Sequence, residues 1–215
     1  MSERSLVAIT GVGGSGKTNL ARGLHRALDQ PDFTVDHISM GEYVREQAEQ
    51  ILGRGTVASH FRQTIINHLN STPLEPFDPD IALGIAAECL QESTAQLILL
   101  DGFPRFRGQV EQLFELSIRD DVYTRGAIIT YVNEEEAVER MTKRKEERTI
   151  TNEAAYRRYE AQRLGIEAVR SDLLEAGLPH VSIDTYHPKE RTLVEGFKFI
   201  ERTLPLPGVS YPYAS

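Results

Sequence analysis

Leu6-Val7-Ala8-Ile9-Thr10-Gly11-Val12-Gly13-Gly14-Ser15-Gly16-Lys17-Thr18 is the stretch that decides the fold. Its first five residues are almost continuously apolar, as in a strand buried on both faces. Gly11 to Thr18 then match the pattern G-x-x-x-x-G-K-[ST]. After the match, Leu20, Ala21, Leu24, Ala27 and Leu28 recur with helical period. Strand, glycine loop and helix in that order make a phosphate cradle. Gly11, Gly13, Gly14 and Gly16 let the backbone wrap, so that the amides of the loop, Ser15 included, turn toward phosphate oxygens. The helix that follows aims its positive end at the same anion. Lys17 is expected to reach the β and γ oxygens, and the Thr18 hydroxyl to ligate Mg²⁺.

Working outward, four more apolar runs read as strands: Phe33–Ser39, Leu97–Asp101, Gly126–Val132 and His180–Asp184. Helical patterns lie between them. Val110, Leu113, Phe114 and Leu116 form one stripe, and Asn133 followed by Glu136 reads as a capping box that opens a helix at Glu134. Alternating strands and helices imply an α/β fold with a doubly wound, five-stranded parallel sheet. Two segments interrupt the rhythm. The stretch between the second and third strands is too long for one crossover and reads as helices over Glu42–Leu52, Thr56–Asn70 and Asp80–Gln91, with the loop Ser71–Pro79 before the last. A charged run at Lys143–Arg148, followed by Thr149–Asn152, reads as a short flap. The expected organisation is one domain over 1–204, with an insert at about 40–76, a lid at about 142–153 and a tail over 205–215.

Bulk properties narrow the function. The chain has 215 residues, 40% of them hydrophobic, which suits a real core. A formal net charge of −8 disfavours nucleic acid as a partner, so any phosphate must be met by local basic groups. Cys89 is the only cysteine, which rules out an intrachain disulfide and a cysteine-rich metal site. No apolar stretch approaches the about 20 residues that span a bilayer, and the opening lacks a signal-peptide pattern. A cytoplasmic monomer, with neither membrane nor nucleic acid as partner, is the expectation. The six histidines show no metal spacing, and Cys89 reads as a buried thiol.

Asp101 ends the apolar run LILLD, where sheets of this kind bind ligand, and a carboxylate there suits a second contact to Mg²⁺. Arginines follow at 45, 105, 140, 144, 148, 157 and 158. Arg140 and Arg144 share a helix face. Phosphoryl transfer needs positive charge around the reacting oxygens more than it needs a general base.

Three elements carry a family resemblance. Ile38-Ser39-Met40-Gly41-Glu42, with Arg45 after it, resembles I-S-x-G-[DE]-x-x-R. Leu100-Asp101-Gly102-Phe103-Pro104-Arg105, with Gln109 after it, resembles L-D-G-F-P-R-x-x-x-Q. Glu139-Arg140-Met141-Thr142-Lys143-Arg144 resembles E-R-x-x-x-R at the entrance to a lid. Together they resemble the adenylate kinase family of nucleoside monophosphate kinases. Arg148-Thr149-Ile150-Thr151-Asn152-Glu153, a degraded match to its lid-exit R-x-D-D-x-E, and Ile183-Asp184, similar to its terminal strand before the adenine-contacting loop, extend the resemblance over nearly the whole chain. The resemblance implies a P-loop kinase that takes ATP and Mg²⁺ and phosphorylates a nucleoside monophosphate, most simply AMP. It implies that Gly11–Thr18 hold the donor phosphates and that Arg140 packs on the donor base. Gly41, Arg45, Gly102 and Arg105 would form the acceptor site, where Gln109 reads the base. Arg144, Arg148 and Arg158 (or Arg157) would close on the transferring group beside Lys17 and Arg105. Ile150 and Thr151 stand where the family has paired lid aspartates, and Thr18 where it has glycine. Two other readings stand beside this one: a P-loop kinase for another small acceptor, and a nucleotide-binding regulator with little turnover.

Overall fold

The computed structural model describes residues 3–43, 79–143 and 151–204. The elements run β1 (Arg4–Gly11), α1 (Lys17–Leu28), β2 (Val35–Ser39), α2 (Pro79–Glu92), β3 (Leu97–Asp101) and α3 (Gln109–Arg119). They continue as β4 (Val122–Tyr131), α4 (Glu134–Thr142), α5 (Asn152–Glu175), β5 (His180–Asp184) and α6 (Lys189–Thr203). Met40–Tyr43 form a helical turn after β2. The insert beyond Tyr43, with the helix expected over Thr56–Asn70 and the loop before Pro79, lies outside the described residues. So do Arg45, Arg144, Arg148 and the tail from Pro205.

The five strands form one sheet in the order β2-β3-β1-β4-β5, and every pairing is parallel. Alternation along the strands explains why both faces are covered. Leu6 and Ala8 of β1 join Ile98 and Leu100 of β3 and Ala127 and Ile129 of β4 on one face. There they pack against Ile85 and Leu90 of α2, Val110 and Leu113 of α3, and Val169 and Leu173 of α5. Val7 and Ile9 point the other way with Leu97, Leu99 and Ile128, onto Leu20 and Leu24 of α1 and Phe197 and Ile200 of α6. A strand buried on both faces has no polar position to spare, which is why these runs read as continuous apolar sequence. A third cluster joins Val12 of the glycine loop to Ala137 and Met141 of α4 and Ala155 and Tyr159 of α5.

Boundaries differ in informative ways. β4 begins at Val122 rather than Gly126, because backbone pairing with Arg4–Leu6 carries the strand through the polar Thr124 and Arg125. Its register on β1 shifts between Leu6 and Val7. β2 begins at Val35 rather than Phe33, since Phe33 closes a tight antiparallel bridge with Gln30. Asn133 caps α4 as expected, accepting the Glu136 amide at 2.9 Å. The reciprocal half of the box is absent. The Glu136 carboxylate instead receives Arg140 Nε at 2.7 Å, one turn along. Thr151 caps α5 by accepting the Ala154 amide, so Asn152 and Glu153, expected at the end of the lid, already belong to a 24-residue helix. Among the described residues no helix is long and apolar enough to cross a membrane.

Candidate active site

β1 sits between β3 and β4, and the chain leaves it toward β2 on one side before returning to β4 on the other. Ligands of open parallel sheets bind at that reversal, beyond the C-terminal strand ends. The glycine loop leaves β1 at this point, and the Asp101–Arg105 loop leaves β3 beside it, Ile9 pairing with Asp101. The Gly102 amide donates to the Ile9 carbonyl at 2.8 Å, which fixes the two exits relative to each other.

Gly16 is the N-cap of α1 in the left-handed region, with no side-chain cap, so the helix amides that open α1 face the loop's hollow. Gly14 also has positive φ, at 77°, and a Cβ there would stand 2.4 Å from the Ala137 carbonyl oxygen. Any side chain would push α4 off the loop. Ser15 is fully buried, and its hydroxyl pairs with that of Thr130 on β4 at 2.7 Å. Lys17 Nζ donates to the Val12 carbonyl at 3.2 Å, which folds the ammonium back over the loop.

The Thr18 hydroxyl donates to Asp101 Oδ2 at 2.6 Å. His37, on β2, brings Nε2 within 3.4 Å of the same oxygen. Burial by itself pushes the Asp101 carboxyl up. The His37 and Thr18 hydrogen bonds and the Lys17 charge outweigh it and hold the group below the ordinary carboxylate value. Asp101 Oδ1 is buried and makes no hydrogen bond with the described residues. A deprotonated carboxylate with one oxygen uncommitted, beside a threonine hydroxyl, is a donor set that suits a hard divalent cation.

Arg105 lies in the same loop, its Nε donating to the Gly102 carbonyl at 2.7 Å. Burial lowers its guanidinium from the ordinary arginine value, opposed by the Asp101 charge. Gln109 is the first residue of α3, so although it follows Arg105 by four positions the two do not share a helix. It is 2% exposed, and its Oε1 accepts the amides of Arg105 at 2.6 Å and Phe106 at 3.2 Å. The side chain thus shapes the loop that carries Arg105.

On the other side of the glycine loop a groove of about 920 Å³ runs between α1 and α6, lined by Gly14, Asn19, Arg140, Thr185, Tyr186 and Leu193 among others. That volume falls in the range of small-molecule pockets. Arg140 reaches it from α4, its guanidinium donating to the Thr185 carbonyl at 3.0 Å and the Thr185 hydroxyl at 3.2 Å. The Thr185 hydroxyl in turn donates to the Ser15 carbonyl at 2.8 Å. Gly41 lies in the helical turn after β2, and Arg158 is half-buried on α5. The structure thus brings Lys17, Thr18, Asp101, Gly102 and Arg105 together at adjacent strand ends, with Arg140 across the glycine loop.

Sequence reasoning missed His37, Thr185 and Gln162. His37 carried a signal, two residues before the strand end in the I-S-x-G element. Thr185 directly follows Ile183-Asp184 at the end of the last strand, whereas Gln162 carried no signal, because its Oε1 accepts the Gly13 amide across 149 positions of sequence.

This strand order, with a glycine loop on the central strand and an acid on its neighbour, defines a P-loop nucleotide-binding protein of kinase type. A family model described as an AAA domain matches residues 10–157. The adenylate kinase of Campylobacter jejuni (strain RM1221) is 30% identical over 160 residues, covering 72% of this chain and 75% of the relative. That of Helicobacter hepaticus is 31% identical over 139 residues, 64% of this chain and 67% of the relative. That of Campylobacter concisus is 28% identical over 182 residues, 83% and 88%. The chain belongs to the AAA domain family of P-loop proteins and, among nucleotide kinases, to the adenylate kinase family.

Proposed function

We propose that this protein transfers the γ-phosphoryl group of ATP to a nucleoside monophosphate, AMP by preference. The observation that carries the reading is the junction of two loops: the phosphate cradle and the Asp101–Arg105 loop meet through the Thr18–Asp101 hydrogen bond. A nucleotide-binding regulator needs the first loop and has no use for an arginine held at the second.

On this reading the base of the donor lies in the groove beside Arg140, and its phosphates lie along the Gly11–Thr18 amides. The acceptor's phosphate meets Arg105, with Arg45 on the insert. A phosphate oxygen of the acceptor attacks the γ-phosphorus in line, and the β–γ bridging oxygen leaves with the bonding pair. The attacking oxygen is already ionised near pH 7, so no side chain has to remove a proton. Lys17 neutralises charge at the β and γ oxygens as the bond breaks. Arg144, Arg148 and Arg158 supply charge around the transferring group. Thr18 and Asp101 would hold Mg²⁺, which would supply charge neutralisation at the phosphates. Lid and insert together would exclude water, which otherwise competes as acceptor.

The test is a panel of nucleoside monophosphates with Mg·ATP, read as nucleoside diphosphate formed. The expected result is ADP from AMP at the highest kcat/KM. Faster turnover of a pyrimidine monophosphate would remove the base preference. No diphosphate from any monophosphate would overturn the reading.

A further inference from the structure

Helix α5 meets both substrate loops along one stripe. Arg158, Gln162, Gly165, Val169 and Asp172 recur at alternating steps of four and three residues, which stacks them on a single helix face. Gln162 Oε1 accepts the Gly13 amide at 2.5 Å, so the donor loop is tied to α5 by one side chain. One turn on, a Cβ at Gly165 would stand 2.5 Å from the Arg105 carbonyl oxygen, so the helix backbone is pressed against the acceptor loop there. Val169 is fully buried beneath it. Asp172 Oδ2 then accepts the Gly108 amide at 2.9 Å. Gly13 also packs against Met141 of α4, with which α5 flanks the lid segment.

We propose that Gln162 is a positioning residue that locks α5 to the phosphate loop and thereby sets Arg158 against the transferring phosphoryl group; this rests on the kinase reading above. Arg158 stands four residues before Gln162, about 6 Å along the axis, and shares its face. A helix held at Gly13, at Arg105 and at Gly108 has little freedom to shift, so the guanidinium is placed by the same contacts that place both loops. The chemistry of the residue fits. Glutamine offers a carbonyl acceptor to the amide without a charge, whereas a carboxylate in the same place would repel the polyphosphate across a short distance. The exposed faces of α5 do carry carboxylates, in pairs such as Arg163 with Glu160 and Glu167.

Gln162→Met keeps length and bulk and removes the acceptor. The expected result is a kcat lowered about tenfold or more, with KM for ATP and for the monophosphate within about twofold, since misplacing a group by about 1 Å can cost far more than that in rate. In an Arg158→Ala background the same change is expected to cost less than about twofold, because there is no guanidinium left to misplace. Equal losses in both backgrounds, or a raised KM with kcat unchanged, would overturn the proposal. Amide exchange at Gly13 by NMR, in the nucleotide-free protein, reads the tie without turnover. It should speed up about tenfold or more in Gln162→Met, and unchanged exchange would also overturn the proposal. If wild type phosphorylates no monophosphate, the kinase reading and the Arg158 role fall together, and Gly13 exchange alone decides whether the tie exists. Gln162→Glu serves if the methionine variant does not fold. It should keep Gly13 protected and weaken ATP binding about tenfold or more, and undiminished ATP affinity would place Gln162 away from the phosphates.

Discussion

Thr18 donates its hydroxyl to Asp101 Oδ2 at 2.6 Å, joining the first turn of α1 to the end of β3 across 83 positions of sequence. The bond leaves Asp101 Oδ1 buried and uncommitted at the mouth of the phosphate loop. The ionisation of this carboxylate is therefore coupled both to the fold and to the proposed chemistry.

Asp101 has a folded-state pKa below its ordinary value, so folding favours its ionised form. The stability that follows is fully present above the unfolded value of about 3.9 and is lost as pH falls through the folded value. Urea titrations between about pH 6 and about pH 3 should show wild type losing stability over the lower part of that range. Asp101→Asn should show a shallower loss there. A variant as acid-sensitive as wild type would assign the acid transition to other carboxylates.

Lys17→Ala is expected to abolish nearly all turnover. The ammonium folds over the loop at Val12, and on the proposed function it meets the oxygens that gain charge as the β–γ bond breaks. Removing such a contact typically costs several kcal/mol, a rate loss of about a hundredfold or more. Diphosphate formation within about threefold of wild type would refute the role.

Arg105→Ala should weaken monophosphate binding strongly and leave ATP affinity nearly unchanged. Calorimetry with each nucleotide separates the two. Arg105→Lys should rescue poorly, because a point charge does not reproduce the guanidinium fork that matches a phosphate. Weakened ATP binding with intact monophosphate binding would move Arg105 to the donor side.

Gln109→Ala should cost stability as well as acceptor discrimination. Its Oε1 satisfies the part-buried amides of Arg105 and Phe106, and a hydrogen bond of this kind contributes about 1 kcal/mol. Thermal melts should fall, and the preference for AMP over UMP and CMP should erode in the same variant. Unchanged stability would contradict the loop-holding geometry. A lost melting temperature with intact base preference would assign Gln109 to structure alone.

Asn133→Ala should destabilise α4 by about 1 kcal/mol, since the Asn133 side chain alone satisfies the Glu136 amide at the N-cap. Chemical denaturation measures it. Glu136→Ala should cost less at this end of the helix, because its carboxylate is engaged with Arg140 rather than with the cap.

The local sequence determined the architecture. Leu6–Ile9 and Leu97–Leu100 are apolar at consecutive positions, and only a strand covered on both faces buries all of them, so the doubly wound sheet was legible before any contact was known. The glycine loop was equally legible, because Gly14 and Gly16 answer to backbone geometry that is itself local. What the tertiary structure decided is the company each residue keeps. Asn133 followed by Glu136 satisfies the capping-box pattern, yet Arg140 on the next turn takes the glutamate, a competition that spacing alone does not rank. Gln109 follows Arg105 by one helical turn in sequence, yet α3 starts only at Gln109, so its amide braces the loop instead of sharing a face with the arginine. His37 on Asp101, Thr185 on the glycine loop and Gln162 on Gly13 join residues far apart along the chain. Periodicity and motif spacing report short-range geometry; which distant side chain satisfies a given amide or carboxylate is settled only when sheet order and helix packing bring the two within hydrogen-bonding reach.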